Sequence, residues 1–174
     1  AAGITSVYLV RPDGSLWTGG LNQNGQLGDG TTSVRTGLVR VIDSGVSRVA
    51  GRIKHVAVIM ENGSLWTFGN NKFGQLGIGS KTDSPQPVQV EESGVVDVST
   101  YSERTVYVKR DGSLWYAGRN HFGSIDQSPA GGAIPSPVQI VESGVVSVAT
   151  GNHHLLYLDK NGSVWGMGEN WSGQ

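Results

Sequence analysis

Apolar and polar residues alternate along this chain in short bursts, and the bursts recur in sets of four. The first burst of a set ends in small residues and is read in full at Val46 to Ala50, Val95 to Ser99 and Val145 to Ala149. The second is Val7 to Val10, Val56 to Ile59, Val106 to Lys109 and Leu155 to Leu158. The third opens on Gly-Ser-Leu-Trp, or Gly-Ser-Val-Trp in the last copy, and runs through Trp17, Trp66, Trp115 and Trp165. The fourth closes on Leu38-Val39-Arg40-Val41, Pro87-Val88-Gln89-Val90 and Pro137-Val138-Gln139-Ile140, with the period of two of a half-buried strand. Helical solenoids need runs of ten or more residues at 3.6 spacing, and the chain has none.

The tetrapeptide begins at Gly14, Gly63, Gly112 and Gly162, so the copies stand 49, 49 and 50 residues apart. Units of this length bury their apolar faces only against their neighbours. Between second and third bursts stands Asp13-Gly14, Asn62-Gly63, Asp111-Gly112 or Asn161-Gly162, the pair favoured in tight antiparallel hairpins because both residues tolerate positive φ. Ser44-Gly45-Val46, Ser93-Gly94-Val95 and Ser143-Gly144-Val145 make short turns into the next unit. Four strands of ~5–6 residues plus turns fill one period, which makes each copy a propeller blade. The expected fold is therefore all-β, a β-propeller of four-stranded antiparallel blades. One propeller segment spans 1–174, with repeats at approximately 1–48, 49–97, 98–147 and a partial 148–174.

Strands that alternate in direction put the Asp/Asn-Gly and Ser-Gly-Val turns at one end of every blade. The other two connections share the opposite end, and there the copies differ: Gly3-Ile4-Thr5, Arg52-Ile53-Lys54, Tyr101-Ser102-Glu103-Arg104 and Asn152-His153 in one loop set, Gln23-Asn24, Lys72-Phe73, His121-Phe122 and Trp171-Ser172 in the other. Recognition belongs at the end that varies.

Composition adds exclusions. Glycine makes up 27 of 174 residues, about double the ordinary usage of ~7 %, and most glycines fall at repeated turn offsets. Net charge is −1 without any run of like charge, so the electrostatic term that nonspecific nucleic-acid binding needs is missing. The longest apolar stretch, Val56 to Met60, suits one strand and not a membrane span. There is no cysteine, hence no disulfide or thiolate metal site, and the compartment stays open. Ala1 in place of Met points to a removed leader or a fragment.

The run Asn71-Lys72-Phe73-Gly74-Gln75-Leu76-Gly77-Ile78-Gly79 and its twin Asn22 to Gly30 resemble the signature of the regulator of chromosome condensation 1 (RCC1) repeat family. Pro87 to Val90, Val148-Ala149-Thr150-Gly151, His55 and His154 match it as well. The resemblance implies a β-propeller, usually of seven blades. The Gly-Ser-Leu-Trp form and the Ser-Gly-Val linker are more similar to bacterial, secreted members than to the eukaryotic nuclear protein, which favours secretion or a cell-surface position. In the third copy Gly123-Ser124-Ile125-Asp126 replaces Gly-Gln-Leu-Gly, and one residue is inserted before Pro137. The family's nucleotide-exchange activity and chromatin attachment go with an inserted wedge and a basic tail that this sequence does not show, so neither is carried over.

Three full repeats plus three further strands, starting inside a first strand at Ala1-Ala2, amount to about half of a seven-bladed ring. An open arc leaves an apolar face bare at each end. The ring is then expected to be completed by self-association of two chains or by the remainder of a longer chain.

Among candidate sites, Gly74 to Thr82 looks like a phosphate loop but lacks the Lys after its glycine and any following helix, and reads as a turn. His55 and His154 share one repeat position with Ser6 and Arg104, which suits bonding to a neighbouring loop better than metal binding; His121 and His153 add no ligand set. No cofactor is implied. The four tetrapeptide tryptophans read as blade core, and Asn22, Asn71, Asn120 and Asn170 as turn residues bonding loop backbone. Arg52, Lys54, Phe73, Tyr101, Arg104, Phe122 and Trp171 stand at the variable end and are the expected partner-binding residues, since aromatics and Arg on a rigid rim anchor protein interfaces. The rings could instead cover adjacent blades. The function expected is a protein-binding module and not an enzyme. An architectural repeat of a bacterial secreted or cell-surface protein is the alternative. An enzyme, hinted at only by Asn152-His153-His154, is the weaker reading.

Overall fold

The computed structural model describes residues 5–120, 131–152 and 154–168, and among them every regular element is a strand. The first sheet holds β1 (Ser6–Val10), β2 (Leu16–Gly20) and β3 (Arg35–Ile42). The second holds β4 (Val46–Gly51), β5 (His55–Met60), β6 (Leu65–Gly69) and β7 (Ser84–Glu91). The third holds β8 (Val95–Tyr101), β9 (Arg104–Lys109), β10 (Leu114–Arg119) and β11 (Ala133–Val141). The fourth holds β12 (Val145–Thr150), β13 (His154–Asp159) and β14 (Val164–Gly168). Each sheet is an antiparallel meander in chain order, so the bursts of a repeat are successive strands, four in the second and third sheets and three among the described residues in the first and fourth. A first strand at Ala1-Ala2 lies outside the described residues.

Strands β4, β8 and β12 touch one another in succession, which makes them the inner edge of the fan. Each carries an irregularity at the same place, between Val46 and Arg48, Val95 and Asp97, and Val145 and Ser147. The extra residue of such a bulge re-aims the side chain next to it, and here Arg48 Nη1 meets Asp97 Oδ1 of the next sheet at 2.8 Å.

Alternation along the second strand of each sheet builds the core. One set of side chains faces the preceding sheet and the other the following one, so the inner sheets are buried on both sides. Tyr8 and Leu16 of the first sheet pack with Val56, Val58 and Phe68 of the second. Ala57, Ile59 and Leu65 of the second pack with Val98 and Tyr107 of the third. Val106, Val108 and Leu114 of the third pack with Val148 and Leu155 of the fourth. Tyr107 adds a polar tie across its boundary, its hydroxyl donating to Glu91 Oε1 at 2.5 Å beside the Lys109–Glu91 ion pair of 2.7 Å.

The tryptophans correct one expectation. Leu16, Leu65 and Leu114 are the fully buried members of the tetrapeptide. Trp17, Trp66 and Trp115 are half-buried and Trp165 is exposed. Each of the first three donates its indole N–H to the serine hydroxyl two residues earlier, at 2.8–3.0 Å. Their polar edge keeps them at the sheet margin, where Arg11 and Lys109 cover the rings of Trp17 and Trp115 at 4.0 and 4.7 Å.

Candidate functional site

The two ends of the fan differ as the loops foretell. At one end hairpin and linker turns lock together: the Val46, Val95 and Val145 amides donate to the Gly14, Gly63 and Gly112 carbonyls, all at 2.9 Å. The Ser15 hydroxyl and amide there hold the Asp13 carboxyl below the usual carboxylate range, and Ser113 does the same for Asp111. Exposed Asp13, Asp43, Glu61, Glu92, Asp111 and Glu142 stand there among exposed Arg11, Arg40, Arg110 and Lys160, so charges of both signs are mixed at this constant end.

At the other end the unlike loops meet. Leu21 N donates to Thr5 O at 3.0 Å, Asn70 N to Lys54 O at 2.9 Å and Arg119 N to Glu103 O at 2.8 Å, so each third-to-fourth connection leaves beside the first-to-second turn of its own sheet. The wide loops are rigid inside. Buried Asn22 takes the Leu27 amide at 2.9 Å and donates to Thr31 O at 2.9 Å; buried Asn71 takes the Leu76 amide at 2.9 Å and donates to Ser80 O and Thr82 O, both at 3.0 Å. Asn120 is buried too, and Asn170 lies outside the described residues. Gly74 to Thr82 is such a loop, closed by turns and followed by β7, not a helix.

Arg52 and Lys54 are exposed on the β4–β5 loop. The Arg52 guanidinium lies 4.8 Å from the ring of Tyr101 in the next sheet. Tyr101 begins the tight β8–β9 turn, whose Ser102 holds a φ of 42°, the one non-glycine residue at positive φ among the described residues. Phe73 is half-buried on the β6–β7 loop. The Arg119 guanidinium of the third sheet stands 4.7 Å from its ring and Lys72 Nζ 5.7 Å, and Arg119 Nη1 also pairs with Glu103 Oε2 at 2.9 Å. Phe73 and Tyr101 thus lean on neighbouring blades and still present an edge to solvent. Phe122 and Trp171 lie outside the described residues.

Arg104 is a correction. It is fully buried, and its Nη2 donates to the Asn152 carbonyl of the fourth sheet, so it braces two blades from within and offers the rim nothing to touch. Its repeat equivalent His55 is also buried, with Nε2 2.9 Å from Thr105 Oγ1 of the next sheet. Desolvation lowers the His55 pKa to about 4, against the backbone of Arg104 and Ser102. His154 is half-buried, and its carbonyl accepts the Gly151 amide at 2.8 Å. His121 and His153 lie outside the described residues. Among the described residues no three His, Asp or Glu side chains gather in a way that could hold a metal ion.

Arg119 is a rim residue that sequence reasoning missed. The residue before the recurring Asn differs in every copy, being Leu21, Asn70, Arg119 and Glu169, and that variation at the variable end is the available signal. With it the rim shows a charge imbalance. Asp29 pairs with Arg35 at 2.6 Å, Glu103 with Arg119, and Asp83 accepts the Asn71 amide at 2.6 Å. Among the described residues no carboxylate pairs with Arg52, Lys54, Lys72 or Lys81.

Models of the regulator of chromosome condensation (RCC1) repeat match residues 62–102 and 145–174. Human WBSCR16 is similar in structure, with a TM-score of 0.84 at 22 % identity over 95 % of this chain and 45 % of that one. Yeast RCC1 (Prp20), solved bound to Kap60, gives 0.81 at 20 % identity over 98 % and 43 %. Prp20p of Saccharomyces cerevisiae, described with its binding properties to Gsp1p and histones, gives 0.80 at 19 % identity over 97 % and 44 %. The chain spans less than half the length of these structures and shares their fold. No curated protein matches it significantly in sequence.

Proposed function

Because this chain belongs to the RCC1 repeat family, we propose that residues 1–174 form one propeller segment that recognises a partner protein through its variable rim, and that the partner offers an acidic surface. One observation carries the reading: Arg52, Lys54, Lys72 and Lys81 lack carboxylate partners among the described residues, beside two ring edges, on the end where copies differ. Cations without partners steer an anionic surface and fix its register, and half-buried rings on rigid turns supply desolvated contact area. Phe122 and Trp171 join the set by repeat position. Prp20 in its complex with Kap60 supports protein binding as a use of this fold.

The test is affinity capture from native extract with the chain as bait, the captured proteins being identified by mass. R52E/K54E and Y101A are expected to lose a protein that the wild type and the constant-end control E61K retain. Equal capture by all four overturns the proposal and leaves the architectural reading.

A further inference from the structure

In two copies the ring of the tetrapeptide tryptophan is covered by a cation of the chain itself. Arg11 lies over Trp17 at 4.0 Å and Lys109 over Trp115 at 4.7 Å, and both cations stand three residues before the glycine that opens the tetrapeptide. Met60 holds that position in the second copy, and among the described residues no cation lies over Trp66. The replacement extends to the neighbours. At the boundary of the second and third sheets Glu91 holds the Lys109 ammonium at 2.7 Å and accepts the Tyr107 hydroxyl. One boundary earlier the places of Glu91 and Tyr107 fall to Ile42 and Val58, which bring no polar side-chain atom. What is left is a cavity of about 300 Å³ lined by Val41, Ile42, Asp43, Met60, Trp66 and Pro87. It opens between two successive sheets, near the constant end and away from the variable rim.

We propose that this cavity binds a small quaternary ammonium molecule of the choline class, with its charge set against the ring of Trp66 and its methyl groups against Ile42, Met60 and Pro87. The Trp66 indole N–H is already donated to Ser64 Oγ at 3.0 Å, so what the side chain offers a ligand is its ring, and tryptophan is the aromatic side chain that attracts a cation best. The other walls are apolar apart from Asp43. A bare ammonium would shed tightly held water to enter, whereas a methylated one presents its charge through carbon. Asp43 supplies the opposite charge: its side chain is 91 % exposed and pairs with Arg40 at 3.1 Å, an exposed pair that an incoming cation can exchange. The volume is at the lower end for a small-molecule pocket, which suits a ligand of a few heavy atoms. The occupant thus takes the place over Trp66 that the chain fills for itself over Trp17 and Trp115.

Titration of the 174-residue chain with choline, followed by the indole N–H signals in nuclear magnetic resonance, tests this. The Trp66 signal is expected to shift saturably while that of Trp115, already covered by Lys109, stays in place. The probe that isolates the charge is 3,3-dimethylbutan-1-ol, the neutral carbon isostere of choline, which should bind about tenfold more weakly. Met60→Lys installs over Trp66 the cation that the third copy carries and is expected to abolish the shift. Asp43→Asn should weaken choline binding about threefold and leave the isostere unaffected. The wild-type comparison of choline with its isostere requires no variant to fold, and the dispersion of the spectra checks the folding of the two variants. Absence of a saturable Trp66 shift with choline overturns the proposal, as does an equal response at Trp115. Equal affinity for the isostere overturns it too and makes the cavity a plain apolar one. Choline binding by Met60→Lys or Asp43→Asn at wild-type strength does the same.

Discussion

Asp97 and Val148 are bonded across a sheet boundary, with Oδ2 of Asp97 accepting the Val148 amide at 2.9 Å. Val148 lies on β12, an inner edge strand whose outward N–H has no strand to donate to. The same oxygen takes the Ser147 hydroxyl at 2.8 Å, while Oδ1 takes the Val98 amide at 2.8 Å and Arg48 of the second sheet. One nearly buried carboxylate thereby joins three sheets at the inner edge of the fan.

Asp97→Ala should therefore cost about 2–3 kcal/mol, because it leaves the Val148 and Val98 amides without acceptors in a buried setting. Arg48→Ala should cost under about 1 kcal/mol, since half of the Arg48 side chain is in solvent. Urea unfolding of both variants at neutral pH checks the order; equal losses would show that the ion pair, and not the edge-strand amides, carries the effect.

His55 makes stability depend on pH in a defined window. Its folded pKa of about 4 lies below the ordinary histidine value of 6.5, so the unfolded chain takes up a proton that the folded chain refuses. The contribution is whole above about pH 6.5 and falls away as pH drops toward 4, by up to about 3 kcal/mol. His55→Gln should flatten that part of the pH profile, read as urea midpoints from pH 7 to 4. Because His55 sits against the backbone of Ser102 and Arg104, hydrogen exchange should quicken first in the β8–β9 turn of the wild type.

Local interactions account for the part of the fold that is legible in the sequence. Strand order, hairpin turns and the split between constant and variable ends rest on Asp/Asn-Gly pairs and period-two alternation, which act within a few residues, although in each pair the glycine alone takes positive φ. Burial does not. Val58 and Leu9 occupy one repeat position, yet only Val58 has a sheet over it, and no residue nearby records the difference. The burial of Arg104 is hidden for a related reason: a residue beginning a second strand points into the neighbouring sheet, as His55 does, although its loop lies on the rim. The depth of the tryptophans is hidden because alternation assigns a face without saying how far the next blade covers it.

Two glycines in contact separate backbone conformation from space. Gly63 holds φ +79°, and a Cβ there would lie 2.8 Å from the Gly94 nitrogen; Gly94 holds φ +84° with nothing within 4 Å. Gly94→Ala should cost about 1–2 kcal/mol, the left-handed penalty alone. Gly63→Ala adds a clash with backbone that cannot move without breaking the Val95–Gly63 bond of 2.9 Å, and should cost about 1–2 kcal/mol more, in line with a strained site. Thermal melting should then place Gly63→Ala below Gly94→Ala by at least ~2 °C.

Arg119 can be removed without unfolding the chain, which makes it the cleaner probe of the rim. It is over a third exposed, so its pair with Glu103 is worth at most about 1 kcal/mol, and its stacking on Phe73 about as much. Arg119→Lys keeps the charge but loses the planar fork that meets a carboxylate and a ring together. The prediction is that Arg119→Lys costs less than Arg119→Ala, by up to about 1 kcal/mol, because the retained charge keeps part of the pair with Glu103 while the planar fork is lost in both. A double-mutant cycle between Arg119→Ala and Phe73→Leu should give a coupling of about 0.5–1 kcal/mol. Zero coupling would mean that the guanidinium passes over the ring without holding it, and that Phe73 is positioned by its own loop through the bond from its amide to Gln75 Oε1.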